Sequence, residues 1–168
     1  MVKNLGKGEY MINETDRIYL KRCVELAEEA LEKGNAPFGS LLLSRDGEVL
    51  FEDHNRNAGG DETRHPEFEI ARWAASNLSE EERCAATVYT SGEHCSMCAS
   101  AHGLASLGRI VYASSSEQLK HWHEDLGVES GNLRGLSIPE VIRGVEVDGP
   151  DEELSEAVRK LQYTYQKS

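Results

Sequence analysis

The sequence predicts an α/β protein with three layers, in which a central β-sheet lies between two layers of helices. Short apolar segments of strand length alternate along the chain with longer segments whose apolar residues recur at helical spacing. An Asp46-Gly47 pair between two short apolar runs is typical of a β-hairpin. Together these observations favour helices packed on both faces of one sheet.

The elements of the first third of the chain can be placed individually. From Thr15 to Lys33, apolar residues recur at helical spacing, and Gly34-Asn35 is a helix stop signal. Two strands of a hairpin are expected over 40–44 and 49–51. Residues 54–64 are rich in turn-forming residues and are expected to form a loop.

Helices and strands also alternate over the remainder of the chain. The elements expected there are a helix over about 66–77, a charged connection over 78–84, a buried strand over 85–90, a tight turn over 91–94, a helix from about 95 that stops at Gly108, a strand over 109–113 and a terminal helix over 151–165.

Composition limits the class of protein. The chain of 168 residues has the size of one domain, and no apolar run approaches the roughly 18 residues that a membrane helix requires. The start of the sequence lacks the apolar core of a signal peptide, so we expect a cytoplasmic protein with no membrane partner. Thirty acidic and eighteen basic residues give a net charge of -12, which opposes binding to nucleic acid.

One histidine and two cysteines form the predicted metal site. His65, Cys95 and Cys98 supply three ligands, one fewer than a closed structural zinc site needs, so the fourth position is left for water. The two cysteines lie on one face at the start of a helix, where the dipole favours thiolates. Glu67 is close enough to exchange protons with that water without being a ligand. We therefore expect one catalytic Zn²⁺ per chain, with Glu67 as acid and base.

His-x-Glu followed by Cys-x-x-Cys, in the order helix, strand, helix, resembles the cytidine and deoxycytidylate deaminase superfamily over about residues 35–115. The resemblance implies a cytidine deaminase-like fold, with a mixed sheet of about five strands flanked by helices, and a homodimer. It also implies that Asn55 binds the base through its amide. The chain is interpreted as one domain, with an N-terminal arm (1–13), a zinc-deaminase core (14–115) and a C-terminal segment for specificity or packing (116–168).

Two positions depart from the family pattern, which has a small residue at Pro66 and a proline at His94. Proline is acceptable at the first position of a helix, with His65 as the capping residue. His94 is a possible fourth ligand, although strain with the adjacent Cys95 favours a role behind the ligands or facing solvent. His102 is the alternative fourth ligand of a structural zinc site, but a packed histidine is favoured there.

Four aromatic residues are candidate substrate contacts. Pro37-Phe38-Gly39 resembles guanine deaminases, while a core role for Phe38 is equally favoured. Residues 121–125, with Trp122, could be a lid over the pocket or a surface helix. In the guanine deaminase-like branch the C-terminus contributes to the site, so Tyr163 and Tyr165 are possible contacts, against the favoured alternative that they only pack the terminal helix.

The predicted activity is hydrolytic deamination of a small nucleobase or nucleoside, with release of ammonia. A guanine-like purine is favoured, and cytosine, cytidine or another aminated heterocycle is the alternative. A transfer-RNA adenosine deaminase is disfavoured by the acidic charge. A structural zinc protein would not need Glu67, and a dithiol redox protein would leave both His65 and Glu67 unexplained.

Overall fold

The computed structural model describes residues 12–168, and its core is a five-stranded mixed sheet. The strands are β1 (Gly39–Leu43), β2 (Val49–His54), β3 (Thr87–Gly92), β4 (Ile110–Ser114) and β5 (Val147–Asp148). The helices are α1 (Glu14–Glu32), α2 (Pro66–Asn77), α3 (Glu80–Ala85), α4 (Ser96–Leu104), α5 (Ser116–Asp125), α6 (Ile138–Val141) and α7 (Glu152–Lys167), with a short 3₁₀ helix over Asn57–Gly59.

The strand order is β2-β1-β3-β4-β5. Strand β1 pairs antiparallel with β2 and β3, whereas β3 with β4 and β4 with β5 are parallel. The β1–β2 connection contains Gly47 at a φ of 86°, a left-handed conformation that glycine adopts without strain. This arrangement confirms the predicted hairpin and the mixed sheet of five strands.

Alternating side chains of the central strands divide the core between the two faces of the sheet. Leu41 of β1 and Tyr89 of β3 belong to a buried cluster with residues of α1, α5 and α7. Their neighbours Leu42 and Val88 belong to a second cluster with α2. Because successive strand residues point to opposite faces, both faces are covered and the three layers predicted from the sequence are confirmed.

A buried charged network fastens the start of α1 to the sheet. Asp16, which is 2% exposed, accepts hydrogen bonds from Tyr89 Oη at 2.7 Å and from Arg109 Nη1 at 2.9 Å. Arg109 Nε also donates to Asp148 Oδ2 at 2.8 Å. Asp16 further belongs to the capping box of α1 with Asn13. One carboxylate therefore joins α1, β3 and the segment leading into β4.

Close approach of α1 to the sheet depends on Gly39. A Cβ atom at this position would lie 2.4 Å from the Cys23 carbonyl oxygen and 2.5 Å from Leu26 Cβ. These separations are shorter than real contacts, so the sheet and the helix could not meet here with any other residue.

Several predicted boundaries need correction. The charged connection over 78–84 is wrong, because Glu80–Ala85 form α3, which begins with a capping box of Ser79 and Glu82. Strand β3 extends to Gly92, so the tight turn predicted over 91–94 is shorter. Helix α4 ends at Leu104, earlier than expected.

The predicted N-terminal arm lies mostly outside the described residues. Of residues 1–13, the structure describes only the last two, and Asn13 is already the N-cap of α1. None of the helices within 12–168 combines the length and apolar character needed to cross a membrane.

Candidate metal centre and active site

Two helix starts bring the predicted metal ligands together. His65 is the N-cap of α2, directly before Pro66 at the first helical position, as the sequence predicted. Cys95 is the N-cap of α4, and Cys98 lies in its first turn. Helices α2 and α4 pack against one another, so these two starts meet beside the sheet.

The ligand atoms have the spacing of a tetrahedral zinc site. His65 Nδ1 lies 3.5 Å from Cys95 Sγ and 3.4 Å from Cys98 Sγ, and the three atoms lie within 4.8 Å of one another. A tetrahedral ion at about 2.3 Å from sulfur and about 2.0 Å from nitrogen would separate a sulfur and a nitrogen ligand by roughly 3.5 Å. The three residues are therefore positioned to bind one metal ion.

One of the three ligands favours its metal-binding form even without a cation. A hydrogen bond from Cys98 and another from His65 lower the pKa of Cys95 to about 4, against the opposing effect of burial. The hydrogen bond with Cys95 and burial raise the pKa of Cys98. Binding of a cation at this site would therefore require Cys98 to lose its proton. The backbone of Glu62 hydrogen-bonds the His65 ring, an interaction that fixes the orientation of a metal ligand.

Glu67 lies beside this centre in a closed environment. It is 5% exposed, and its Oε1 lies 2.9 Å from Ser40 Oγ and 2.7 Å from Thr90 Oγ1. Burial raises the pKa of Glu67, with the nearby His65 opposing the shift. Both hydroxyls contact the same carboxylate oxygen of Glu67.

Neither Ser40 nor Thr90 was predicted from the sequence to contact Glu67. They are paired across β1 and β3, which places both hydroxyls on the same face of the sheet, opposite the start of α2. The available signal was two small polar residues at cross-strand positions within otherwise apolar strands. Recognising it requires the register of the sheet, which the sequence does not state.

His94 is not part of the ligand group. It is buried, and neither ring nitrogen has a hydrogen-bond partner within residues 12–168. Its ring packs edge to face against His102, with centroids 5.4 Å apart. The solvent-facing alternative for His94 is therefore wrong. His102 is a packed histidine, as favoured from the sequence, with Nε2 2.8 Å from the Gly108 carbonyl oxygen.

Asn55 and Phe38 lie side by side, directly after the end of β2 and directly before the start of β1. The Asn55 backbone N–H donates to the Phe38 carbonyl oxygen at 3.0 Å. The Phe38 ring lies against Gly92, where a Cβ atom would be only 3.2 Å from the ring. Phe38 is half-buried rather than enclosed in the core. Phe38 thus lies against the end of β3, three residues before Cys95 in the sequence.

The remaining aromatic candidates are placed differently from one another. Tyr165 Oη lies 3.5 Å from Asn57 Nδ2, in the loop that also contains Asn55. Tyr163 Oη lies 3.4 Å from Asp125 Oδ2, at an exposed position next to α5. The Trp122 ring is buried in the cluster formed with α1 and α7, a placement that favours packing of the α5 helix over a lid.

Hydrogen bonds connect the C-terminal third of the chain to the segment just before Cys95 and to the segment just before β1. Glu93, two residues before Cys95, accepts backbone hydrogen bonds at 3.0 Å from Ser116 at the start of α5 and from Ile138 at the start of α6. At the other end, Gln162 Nε2 of α7 donates to the Pro37 carbonyl oxygen at 3.3 Å. Neither Glu93 nor Gln162 was singled out from the sequence.

Comparison with characterised sequences gives two informative relatives. A probable cytosine deaminase of Schizosaccharomyces pombe (strain 972) is 30% identical over 108 residues, which cover 64% of this chain and 65% of the relative. A tRNA-specific adenosine deaminase of Bacillus subtilis (strain 168) is 31% identical over 100 residues, covering 59% and 62% respectively. The chain thus matches somewhat less than two thirds of either relative's length.

Solved structures show the same architecture. The structure of a guanine deaminase from Nitrosomonas europaea superposes with a TM-score of 0.68 at 16% sequence identity, covering 97% of this chain and 90% of that one. At this identity the likeness shows the fold alone. The family model described as the cytidine and deoxycytidylate deaminase zinc-binding region matches residues 13–114, which include all three ligands and Glu67. The chain therefore belongs to the cytidine and deoxycytidylate deaminase zinc-binding family.

Proposed function

We propose that this protein catalyses the hydrolytic deamination of a small aminated nucleobase or nucleoside. The observation that carries the proposal is the buried Glu67 carboxylate beside a three-ligand metal set, with Oε1 held by two hydroxyls. A structural metal site has no use for such a carboxylate. A buried carboxylate with a raised pKa can accept a proton and give it back, which deamination requires twice.

The roles of the residues follow from the chemistry of the reaction. His65, Cys95 and Cys98 would hold a zinc ion, which when bound makes water acidic enough to react near neutral pH. Glu67 would take a proton from the attacking water and pass it to a ring nitrogen.

Glu67 would then deliver the water's second proton to the exocyclic nitrogen as the carbon–nitrogen bond breaks. One water is consumed, the ring gains a carbonyl oxygen, and ammonia leaves. Ser40 and Thr90 keep Oε1 fixed during both proton transfers.

The favoured substrate is a guanine-like purine. Phe38 offers a half-buried aromatic face beside the site, and Tyr165 of α7 reaches the Asn55 loop. The similarity to the guanine deaminase also extends over nearly the whole chain, α7 included. Cytosine is the second candidate, because the Schizosaccharomyces pombe relative is named a probable cytosine deaminase. The net charge of -12 disfavours transfer RNA.

The test is ammonia release by the zinc-loaded protein from guanine, guanosine, adenine, cytosine, cytidine and isocytosine. We expect one ring or closely related rings to react, and Glu67→Gln to reduce the rate at least about 100-fold. Zinc content should remain at one ion per chain in that variant. Glu69→Gln is the matched control, because Glu69 lies on the same helix and pairs only loosely with Arg64, at 3.6 Å. Full activity of Glu67→Gln, or no reaction with any ring, would contradict the proposal.

A further inference from the structure

We infer that Gly92 is a positioning residue that determines the size of the ring the catalytic site accepts. Because glycine has no side chain, the Phe38 ring lies against the backbone of β3 and leaves room for a bicyclic purine. A side chain at position 92 would displace the Phe38 ring into this space. Gly92 takes this role within the proposed function, on which the inference rests.

The backbone conformation does not explain a glycine at position 92. Gly92 is the last residue of β3, and its φ lies outside the left-handed region that favours glycine. Glycine weakens a strand and often marks a place where another group approaches closely. Here that group is the Phe38 ring, since a Cβ atom at position 92 would lie 3.2 Å from Phe38 Cε1 and 3.3 Å from Cδ1. The glycine is therefore explained by the space that the ring occupies.

The register of the sheet places this contact on the face that carries the proposed catalytic carboxylate. Ser40 and Thr90, whose hydroxyls contact that carboxylate, are paired across β1 and β3. Phe38 lies two residues before Ser40. Gly92 lies two residues after Thr90, and side chains two residues apart on a strand point to the same face. A Cβ atom at Gly39 would instead point to α1, on the opposite face. The Phe38 ring thus lies next to the Ser40–Thr90 pair.

The metal ligands lie at the same end of this face. The chain reaches Cys95 three residues after Gly92, and His65 begins α2, which packs on this face of the sheet. Phe38 is only half-buried, so part of its ring is open to a ligand. The ring therefore forms part of the wall of the proposed catalytic site.

Hydrogen bonds hold the backbone around Phe38, so the ring is the part that can yield. The Phe38 N–H donates to the Ala36 carbonyl oxygen at 2.9 Å, and the Phe38 carbonyl oxygen accepts from the Asn55 N–H at 3.0 Å. The next residue, Gly39, donates its N–H to Ser91 Oγ at 3.1 Å. A new methyl group at position 92 would therefore move the Phe38 ring rather than the strand.

Displacement of the ring would narrow the site. A Cβ atom at position 92 requires the Phe38 ring to give way by a few tenths of an ångström, away from β3 and into the space on the catalytic face. A purine has two fused rings and covers more of the Phe38 ring than a pyrimidine does, so the same displacement penalises purines more. Overpacking by one methyl group corresponds to about a tenfold loss of binding or more.

The first measurement tests the ring contact without any substrate. An aromatic ring shifts the NMR signals of protons close to it, so the Hα signals of Gly92 should move when Phe38 is replaced in Phe38→Ala. The Hα signals of Gly131, where even an added Cβ atom would meet nothing within 4 Å, should not move. Unchanged Gly92 signals would overturn the inference, whether or not the protein is active.

The second measurement compares purines with pyrimidines in Gly92→Ala. Rings that the protein does not deaminate are measured as competitive inhibitors of the ring that reacts best. We expect the preference for purines over pyrimidines to fall about tenfold, while zinc stays at one ion per chain. Gly131→Ala adds a methyl group in open space and should keep the wild-type preference.

Three outcomes would contradict these expectations in different ways. An unchanged purine preference in Gly92→Ala would overturn the role of Gly92 while leaving the proposed function intact. A wild-type protein that binds pyrimidines more tightly than purines would also overturn it. Inactivity of the wild type on every ring would refute the proposed function, and the ring-size role with it.

A double variant separates an effect through Phe38 from a purely structural effect. Phe38→Ala removes the ring that a Cβ atom at position 92 would touch, so adding Gly92→Ala to it should change the purine preference little. Residues in contact are expected to show such non-additivity. If Gly92→Ala lowers the preference equally in both backgrounds, Gly92 does not act through Phe38 and the positioning role is wrong.

Discussion

Replacing Asp16 by asparagine should destabilise the protein far more than the removal of an exposed ion pair. The substitution keeps the size of the side chain but removes the charge that accepts hydrogen bonds from Tyr89 and Arg109. Removing one partner of a buried ion pair typically costs about 3–5 kcal/mol. Arg109 keeps Asp148 as a partner at 2.8 Å, so we take the lower end, about 3 kcal/mol.

The assay is unfolding by urea, followed by circular dichroism. With a dependence of about 2 kcal/mol per molar urea, the midpoint of Asp16→Asn should fall by roughly 1.5 M. The control is Glu156→Gln, which removes an exposed pair with Arg159 on α7 and should leave the midpoint unchanged within error. A midpoint for Asp16→Asn that matches the control would refute the claim that this network holds α1 to the sheet.

The stabilisation that is lost in Asp16→Asn should also depend on pH. Burial opposes ionisation of Asp16, but hydrogen bonds from Arg109 and Tyr89 outweigh burial, so its pKa is lowered in the folded state. Its stabilisation is therefore complete above the unfolded pKa of about 3.9 and is lost as pH falls through the lower folded value. The stability difference between wild type and Asp16→Asn should shrink below about pH 4.

Two further predictions concern the metal centre. Thr90→Val preserves the shape of the side chain but removes a hydroxyl 2.7 Å from Glu67, so kcat/KM should fall about tenfold to a hundredfold while zinc is retained. The control is Thr87→Val on the same strand. Equal kinetics of the two variants would contradict the role of Thr90. Cys98→Ser should reduce bound zinc well below one ion per chain in elemental analysis, because a serine hydroxyl is a poor zinc ligand. The control, Cys84→Ser, changes an exposed cysteine and should bind zinc normally. One zinc per chain in Cys98→Ser would exclude Cys98 as a ligand.

Local chemistry made the metal ligands predictable from the sequence. His65, Cys95 and Cys98 are specified by residue type and spacing, and Pro66 marks the start of α2 because proline fits only there in a helix. The hairpin was predictable for the same reason, because the Asp46-Gly47 pair itself favours a turn between two strands. In each case the residues that decide the structure are close in sequence.

The missed features depend on distant partners or weak local signals. Ser40 and Thr90 act on Glu67 only through the register of β1 and β3, and Asn57 meets Tyr165 across 108 positions of sequence. The burial of the Trp122 ring was not predictable for the same reason, because it depends on where α7 packs. Helix α3 did carry a local signal, the Ser79 and Glu82 capping box, but its polar residues lack apolar periodicity.

The attachment of Glu93 to the starts of α5 and α6 has a consequence for dissecting the chain. A fragment ending at 114 would retain the entire family motif, but it would lose the two backbone amides that bond the Glu93 carboxylate. The fragment would also lack Trp122, Leu154 and Val158, which belong to the buried cluster on one face of the sheet. The motif therefore depends on the C-terminal helices for its structure. A protein engineered to contain the motif would have to include these helices as well.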